Sequence, residues 1–129
     1  DDIGKKLSFC NAGHEQIIHF EASSKKINLV GKGGMALGMI ADLSKLLKEQ
    51  TLELKSGDVL MLYSDGFPEA WKTEKENLGM DRLTEIVLKV CQKGGDAKTI
   101  REGVIKEVTS FRKNYPQQDD MTIVVLKIQ

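Results

Sequence analysis

Three carboxylates in this 129-residue chain stand where a rigid scaffold would hold them. Asp65 closes Tyr63-Ser64-Asp65, directly after the apolar run Val59-Leu60-Met61-Leu62-Tyr63. Asp119 and Asp120 stand immediately before the Ile- and Val-rich run from Met121 to Ile128. A carboxylate at the end of a buried strand is held in place by its scaffold, which suits metal ligation. Mg²⁺ and Mn²⁺ prefer hard oxygen ligands, and Mg²⁺ takes only one or two carboxylates while keeping several waters. Two such ions about 3.5–4 Å apart can bind a phosphoryl oxygen and acidify a shared water. Gly66 would support the site by letting the backbone turn sharply after Asp65 without a Cβ clash. Turn chemistry explains the same residues: strand-Asp-Gly is commonly just a turn, and Asp-Asp before a strand is often a solvated cap. Spacing alone leaves both readings open.

The elements that must position these residues follow from periodicity. Leu7 to Asn11 and Gln16 to Phe20 are short β-type runs, and Asn11-Ala12-Gly13-His14-Glu15 between them predicts a hairpin. Ile27 to Val30 is a third run. Thr51 to Leu54 alternates polar and apolar, as a half-buried strand does. Lys55-Ser56-Gly57-Asp58 is a turn. Val59 to Tyr63 is apolar throughout, the pattern of a strand covered on both faces. Leu83, Ile86, Val87, Val90 and Cys91 share one helical face, with Asp81 as the expected N-cap and Gly94-Gly95 as the stop. Ile100, Val104, Val108 and Phe111 mark a second helix capped by Asp96 and ended by Tyr115-Pro116. Gly103 weakens that helix by roughly 1 kcal/mol relative to Ala. Met121 to Ile128 is a strong β run. Residues 35–50 are ambiguous, although Ile40, Leu43, Leu46 and Leu47 fit a short helix. The charges of Lys72-Thr73-Glu74-Lys75-Glu76 read as a solvated loop.

The totals bound the class. The chain has the length of one modest domain. Its 19 basic and 19 acidic residues balance, so no excess of positive charge marks it for nucleic acid. Apolar runs reach about six residues, well below the roughly 20 of a membrane span. No signal peptide is recognised at Asp1-Asp2-Ile3-Gly4. Cys10 and Cys91 lack metal-type spacing and read as reduced core thiols of a cytoplasmic protein. His19, within a strand, reads as structural. Gly31-Lys32-Gly33-Gly34-Met35-Ala36 fits the loose dinucleotide pattern G-x-G-x-x-A, but no βαβ context surrounds it, so it reads as a loop. Composition and periodicity reach a soluble α/β or α+β domain and stop there.

Five segments carry a further signal. Leu7-Ser8-Phe9-Cys10-Asn11-Ala12-Gly13-His14, Gly34-Met35-Ala36-Leu37-Gly38-Met39, Leu54 to Ala70, Leu78-Gly79-Met80-Asp81-Arg82-Leu83 and Asp119-Asp120-Met121-Thr122-Ile123-Val124-Val125 occur in this order. Together they resemble the sporulation-E branch of the protein phosphatase 2C superfamily, from its Asn-Ala-Gly-His strand to its closing Asp-Asp-Met/Ile-Thr strand. Ala36 and Ser56 replace prolines usual in that pattern, and Pro68 replaces a common threonine. The resemblance implies an α+β fold, a partial protein phosphatase 2C-like β-sandwich of antiparallel sheets flanked by α-helices. It implies hydrolysis of phosphoserine or phosphothreonine on a regulatory protein with two Mn²⁺ or Mg²⁺ ions, in which a metal-bridging water attacks phosphorus. Asp65 and Asp119 correspond to metal ligands, and Asp120 to an outer-shell group or alternative ligand. His14 stands where the wider superfamily often has an Asp facing an accessory metal; it is either an additional ligand or a cap of the turn. The substrate implied is an anti-sigma factor antagonist.

One departure matters. The family's earlier Gly-Asp-x-x-Gly segment, which supplies a metal-bridging Asp, has no counterpart in these residues. The expectation is therefore that residues 1–129 form a single domain, the C-terminal part of the catalytic domain with its N-terminal half absent. Such a piece would bind metal weakly, hydrolyse little by itself and self-associate through open sheet edges. Any membrane attachment would belong to upstream domains. Two other classes compete: a degenerate phosphatase fold serving as a non-catalytic signalling module, and an unrelated α/β binding domain whose acids are turn residues.

Overall fold

Val59 to Tyr63 has no polar position at which to meet water, so it must be covered on both faces. The computed structural model describes residues 5–9, 16–30, 50–64, 66–67, 70–73, 76–113 and 121–129. In chain order the elements are β1 (Lys5–Phe9), β2 (Ile17–Glu21), β3 (Lys26–Val30), β4 (Gln50–Leu54), β5 (Val59–Tyr63), β6 (Trp71–Thr73), β7 (Glu76–Asn77), α1 (Gly79–Gln92), α2 (Ala97–Arg112) and β8 (Ile123–Lys127). β5 lies inside a four-stranded antiparallel sheet of order β3-β2-β5-β8. Val59, Met61 and Tyr63 face one buried cluster with Ile18 and Phe20 of β2 and the apolar stripes of both helices. Leu60 faces the other way, toward Ile17 and Leu54, with Leu7, Leu52 and Leu62 packed around them. β1 and β4 pair with each other, Lys5 opposite Leu54 through Phe9 opposite Gln50. The layers are thus a two-stranded sheet, the four-stranded sheet and a helix pair, an α+β arrangement with one sheet shared by two cores.

Three local expectations are corrected. β1 does not form a hairpin with β2. The hairpin is β2–β3, closed by Ala22–Lys25 with the Lys25 N–H donating to the Glu21 carbonyl at 2.8 Å. Ile17, Ile18, His19 and Phe20 are all buried, and only a central sheet position covers both of their faces. The stretch read as a solvated loop contributes two short strands instead, Trp71 opposite Asn77 and Thr73 opposite Glu76. Helix α1 begins at Gly79 with Leu78 as its uncapped N-cap residue, so Asp81 lies inside the first turn. Buried Leu78 sets that start, its N–H donating to the Ala70 carbonyl at 2.7 Å. Asp81 still complements the positive end of the helix dipole.

Other expectations hold. Asp96 caps α2 by accepting from the Thr99 N–H at 2.8 Å. Cys91 is a free, buried thiol, its pKa pushed up to about 11 by burial; Cys10 lies outside the described residues, as do positions 31–49. Gly103 does more than weaken α2. A Cβ there would meet Val90 Cγ1 of α1 at 2.9 Å, so the glycine permits the helices' close approach. Among the described residues no helix is long and apolar enough to cross a membrane.

His19 is structural, as expected, and it has a buried partner. Its Nε2 lies 3.0 Å from Asp58 Oδ2, and both side chains are buried. Asp58 Oδ1 accepts from the Ala22 N–H at 3.0 Å, and Oδ2 also accepts from the Lys55 N–H at 3.1 Å. Gly57 precedes it at φ +91°, and a Cβ there would crowd Ala22 Cβ at 3.1 Å. One carboxylate thereby ties the β2–β3 turn and the β4–β5 turn to β2. Burial alone would raise its pKa, but the bonds from Ala22, His19 and Lys55 and the attraction of His19 outweigh burial and hold the carboxyl below its usual range.

Asp58→Ala strands a buried histidine and two amides, so it should lower the unfolding free energy by about 3–5 kcal/mol, seen as a lower urea midpoint. The folded carboxyl titrates below its ordinary 3.8, so its contribution is complete above that pH and vanishes as pH falls through the folded pKa. The wild-type urea midpoint should therefore drop below about pH 4, and Asp58→Asn should lack that part of the drop. An unchanged midpoint in Asp58→Ala would contradict the assigned role.

Candidate functional site

The C-terminal end of β5 and the N-terminal end of β8 lie side by side. Their register runs from Val59 opposite Lys127 to Tyr63 opposite Ile123. One step further the Ser64 N–H donates to the Thr122 carbonyl at 2.9 Å. The Thr122 N–H donates to Ser64 Oγ, also at 2.9 Å. Ser64 directly precedes Asp65, and Thr122 follows Asp120 by two positions. Asp65, Asp119, Asp120 and His14 themselves lie outside the described residues, whereas Gly66 is described and lies buried in a turn.

That turn is anchored from below. The Phe67 N–H donates to the Ser64 carbonyl at 3.1 Å, and the Ala70 N–H to the Phe67 carbonyl at 3.2 Å. Phe67 is 1% exposed and belongs to the core shared by the sheet and helices. Tyr63 Oη reaches Met80 Sδ of α1 at 3.4 Å, fixing the last residue of β5 against the helix. Just before the partner strand, Met121 packs against the same core. Sequence reading took Phe67 for part of a motif; its role as a plug beneath the turn depends on helices that follow it in the chain.

Among the described residues no group of three or more His, Cys, Asp or Glu could hold a metal ion. The donor chemistry of the flanking positions fits a hard divalent cation, because 65, 119 and 120 are all carboxylates. The buried acid that is described, Asp58, sits at the opposite end of β5 and is saturated by the bonds to His19, Ala22 and Lys55. It serves the scaffold.

This layered half-sandwich is similar to solved protein phosphatase 2C domains. It superposes on the SiaA-PP2C domain of Pseudomonas aeruginosa with a TM-score of 0.78 at 17% identity, covering 96% of this chain and 46% of that one. Against the PP2C phosphatase domain and regulatory fragment of SpoIIE from Bacillus subtilis the TM-score is 0.71 at 23% identity, covering 95% and 34%. The phosphatase domain of that SpoIIE protein has also been solved after presoaking with Mn. In sequence, the chain is 30% identical over 121 residues to Protein IcfG of Synechocystis sp., spanning 93% of this chain and 18% of that protein. The family model of Stage II sporulation protein E (SpoIIE) matches residues 1–129, and the chain belongs to that family. It spans between 18% and 56% of the length of these relatives.

Phe67→Ala should cost about 3–5 kcal/mol of stability, as removal of a fully buried aromatic does. Because Phe67 also closes the turn, its own backbone amide should lose protection in hydrogen exchange ahead of global unfolding. A loss of stability without faster exchange at that amide would show that the turn does not depend on the ring.

Proposed function

We propose that this chain supplies two metal-ligating carboxylates, Asp65 and Asp119, to the centre of a metal-dependent protein serine/threonine phosphatase. The observation that carries this reading is the pair of bonds between Ser64 and Thr122. Asp65 is one residue from Ser64, and Asp119 is three from Thr122, a span of at most about 11 Å. Chain connectivity alone therefore keeps both positions within a short reach of the paired ends of β5 and β8. The backbone at that end is tied to the core through Tyr63, Phe67 and Met121, which gives the ligands a rigid base.

Asp120 then acts in the outer shell or as an alternative ligand, Gly66 supports the turn, and His14 is a further candidate. A pair of Mn²⁺ or Mg²⁺ ions bound there would supply a water acidified toward hydroxide and would neutralise charge on the phosphoryl oxygens. The chain's own residues hold and orient that group. Nothing in this chemistry requires a protein nucleophile, and the buried Cys91 thiol is raised far from reactivity. Residues beyond these 129 complete the site, in keeping with the share of each relative that the chain covers. They would also cover Val124 and Leu126 of β8, which are 49% and 44% exposed on a strand that the described residues pair only with β5. Without that cover the open edge favours self-association. The substrate is a phosphorylated regulatory protein, and the family points to an anti-sigma factor antagonist.

The test is Mn²⁺-dependent hydrolysis of a phosphoserine protein by the full-length protein. Asp65→Asn and Asp119→Asn should each lower kcat/KM by more than about 100-fold, beyond what outer-shell groups contribute, and Asp120→Asn by about 10- to 100-fold. The 129-residue chain alone should show little turnover. Full activity in Asp65→Asn would sink the assignment.

A further inference from the structure

The ladder between β5 and β8 carries an irregularity that the metal reading leaves unexplained. With Tyr63 opposite Ile123, the next pair in register is Ser64 opposite Thr122. In a hydrogen-bonded antiparallel pair each residue's N–H donates to the other's carbonyl. Ser64 obeys: its N–H donates to the Thr122 carbonyl at 2.9 Å. The return bond is diverted. The Thr122 N–H donates at 2.9 Å to Ser64 Oγ, and the Ser64 carbonyl accepts from the Phe67 N–H at 3.1 Å.

We propose that Ser64 is a positioning residue for the Asp65 carboxylate, acting by this exchange of acceptors. The inference rests on the reading of Asp65 as a metal ligand. The hydroxyl takes the place of the Ser64 carbonyl in the ladder, so β8 stays satisfied up to Thr122. The carbonyl is released to accept from the Phe67 N–H, and the described pairing with β8 runs as far as Ser64, the residue before Asp65. A residue without a side-chain acceptor forces a choice. Either the Thr122 N–H loses its partner, or it recaptures the Ser64 carbonyl and draws on the acceptor that closes the turn. Both outcomes alter the platform that carries position 65 and loosen its tie to the partner strand. The requirement is for a short hydroxyl side chain: serine and threonine can meet it, and alanine cannot.

The experiment measures Mn²⁺ dissociation constants and kcat at saturating Mn²⁺ in the full-length protein for wild type, Ser64→Ala, Ser64→Thr and Asp65→Asn. Ser64→Ala should raise the Mn²⁺ dissociation constant by about 10- to 100-fold, the range seen when a group orienting a metal ligand is removed. Ser64→Thr should retain wild-type affinity. Loss of that one exposed bond should lower the melting temperature of the metal-free protein by only about 2–6 °C in Ser64→Ala; a merely structural serine would do the same and leave affinity unchanged. If Ser64→Ala does not fold, Ser64→Cys takes its place, since a thiol is a weak acceptor of similar size, and the same rise is expected. Wild-type Mn²⁺ affinity in the alanine or cysteine variant overturns the proposal while Asp65→Asn still loses metal. Wild-type affinity in Asp65→Asn overturns the metal-ligand reading itself, and the proposal with it.

Discussion

The double burial of β5 is the constraint from which the rest follows. Its residues bond to β2 on one side and β8 on the other, and its side chains enter two different cores. A strand in that position cannot shift register by one residue without exchanging its two apolar sets between unlike environments. β5 is therefore the most firmly placed segment described, and whatever leaves its end inherits that placement.

The two ends of β5 are finished differently. At the start, Asp58 turns an otherwise costly buried charge into a junction by accepting from His19 and from two backbone amides. At the finish, Ser64 gives up its carbonyl to a turn and offers its hydroxyl to the neighbouring strand. The first arrangement locks two turns and strand β2 into one body. The second lets the chain depart abruptly while both strands remain satisfied. On the proposed reading of Asp65 as a metal ligand, the two arrangements together would give its carboxylate a fixed base.

The helices contribute from beneath. α1 and α2 cover the face of Val59, Met61 and Tyr63, and Gly103 against Val90 allows them to lie close together. Phe67 extends that core under the turn, so packing by elements later in the chain reaches to within two residues of position 65. Stability and site geometry are coupled through the same apolar contacts.

Local sequence was enough for whatever local energetics decides. The unbroken apolar run of β5, the stripes of α1 and α2, the Asp96 cap and the turn at Lys55–Asp58 were all legible, because periodicity and capping act within a few residues. Five ordered segments also carried the family. What sequence could not show was partner choice. That β1 pairs with β4 and not with β2, that His19 meets Asp58 across 39 positions, and that Gly103 faces Val90 are outcomes of competition among distant surfaces for burial. The exchange at Ser64 belongs to the same class: a serine before Asp-Gly looks like any turn residue until Thr122 arrives opposite it. Residue types determined the chemistry on offer, while tertiary packing decided which ends of which strands would stand together to use it.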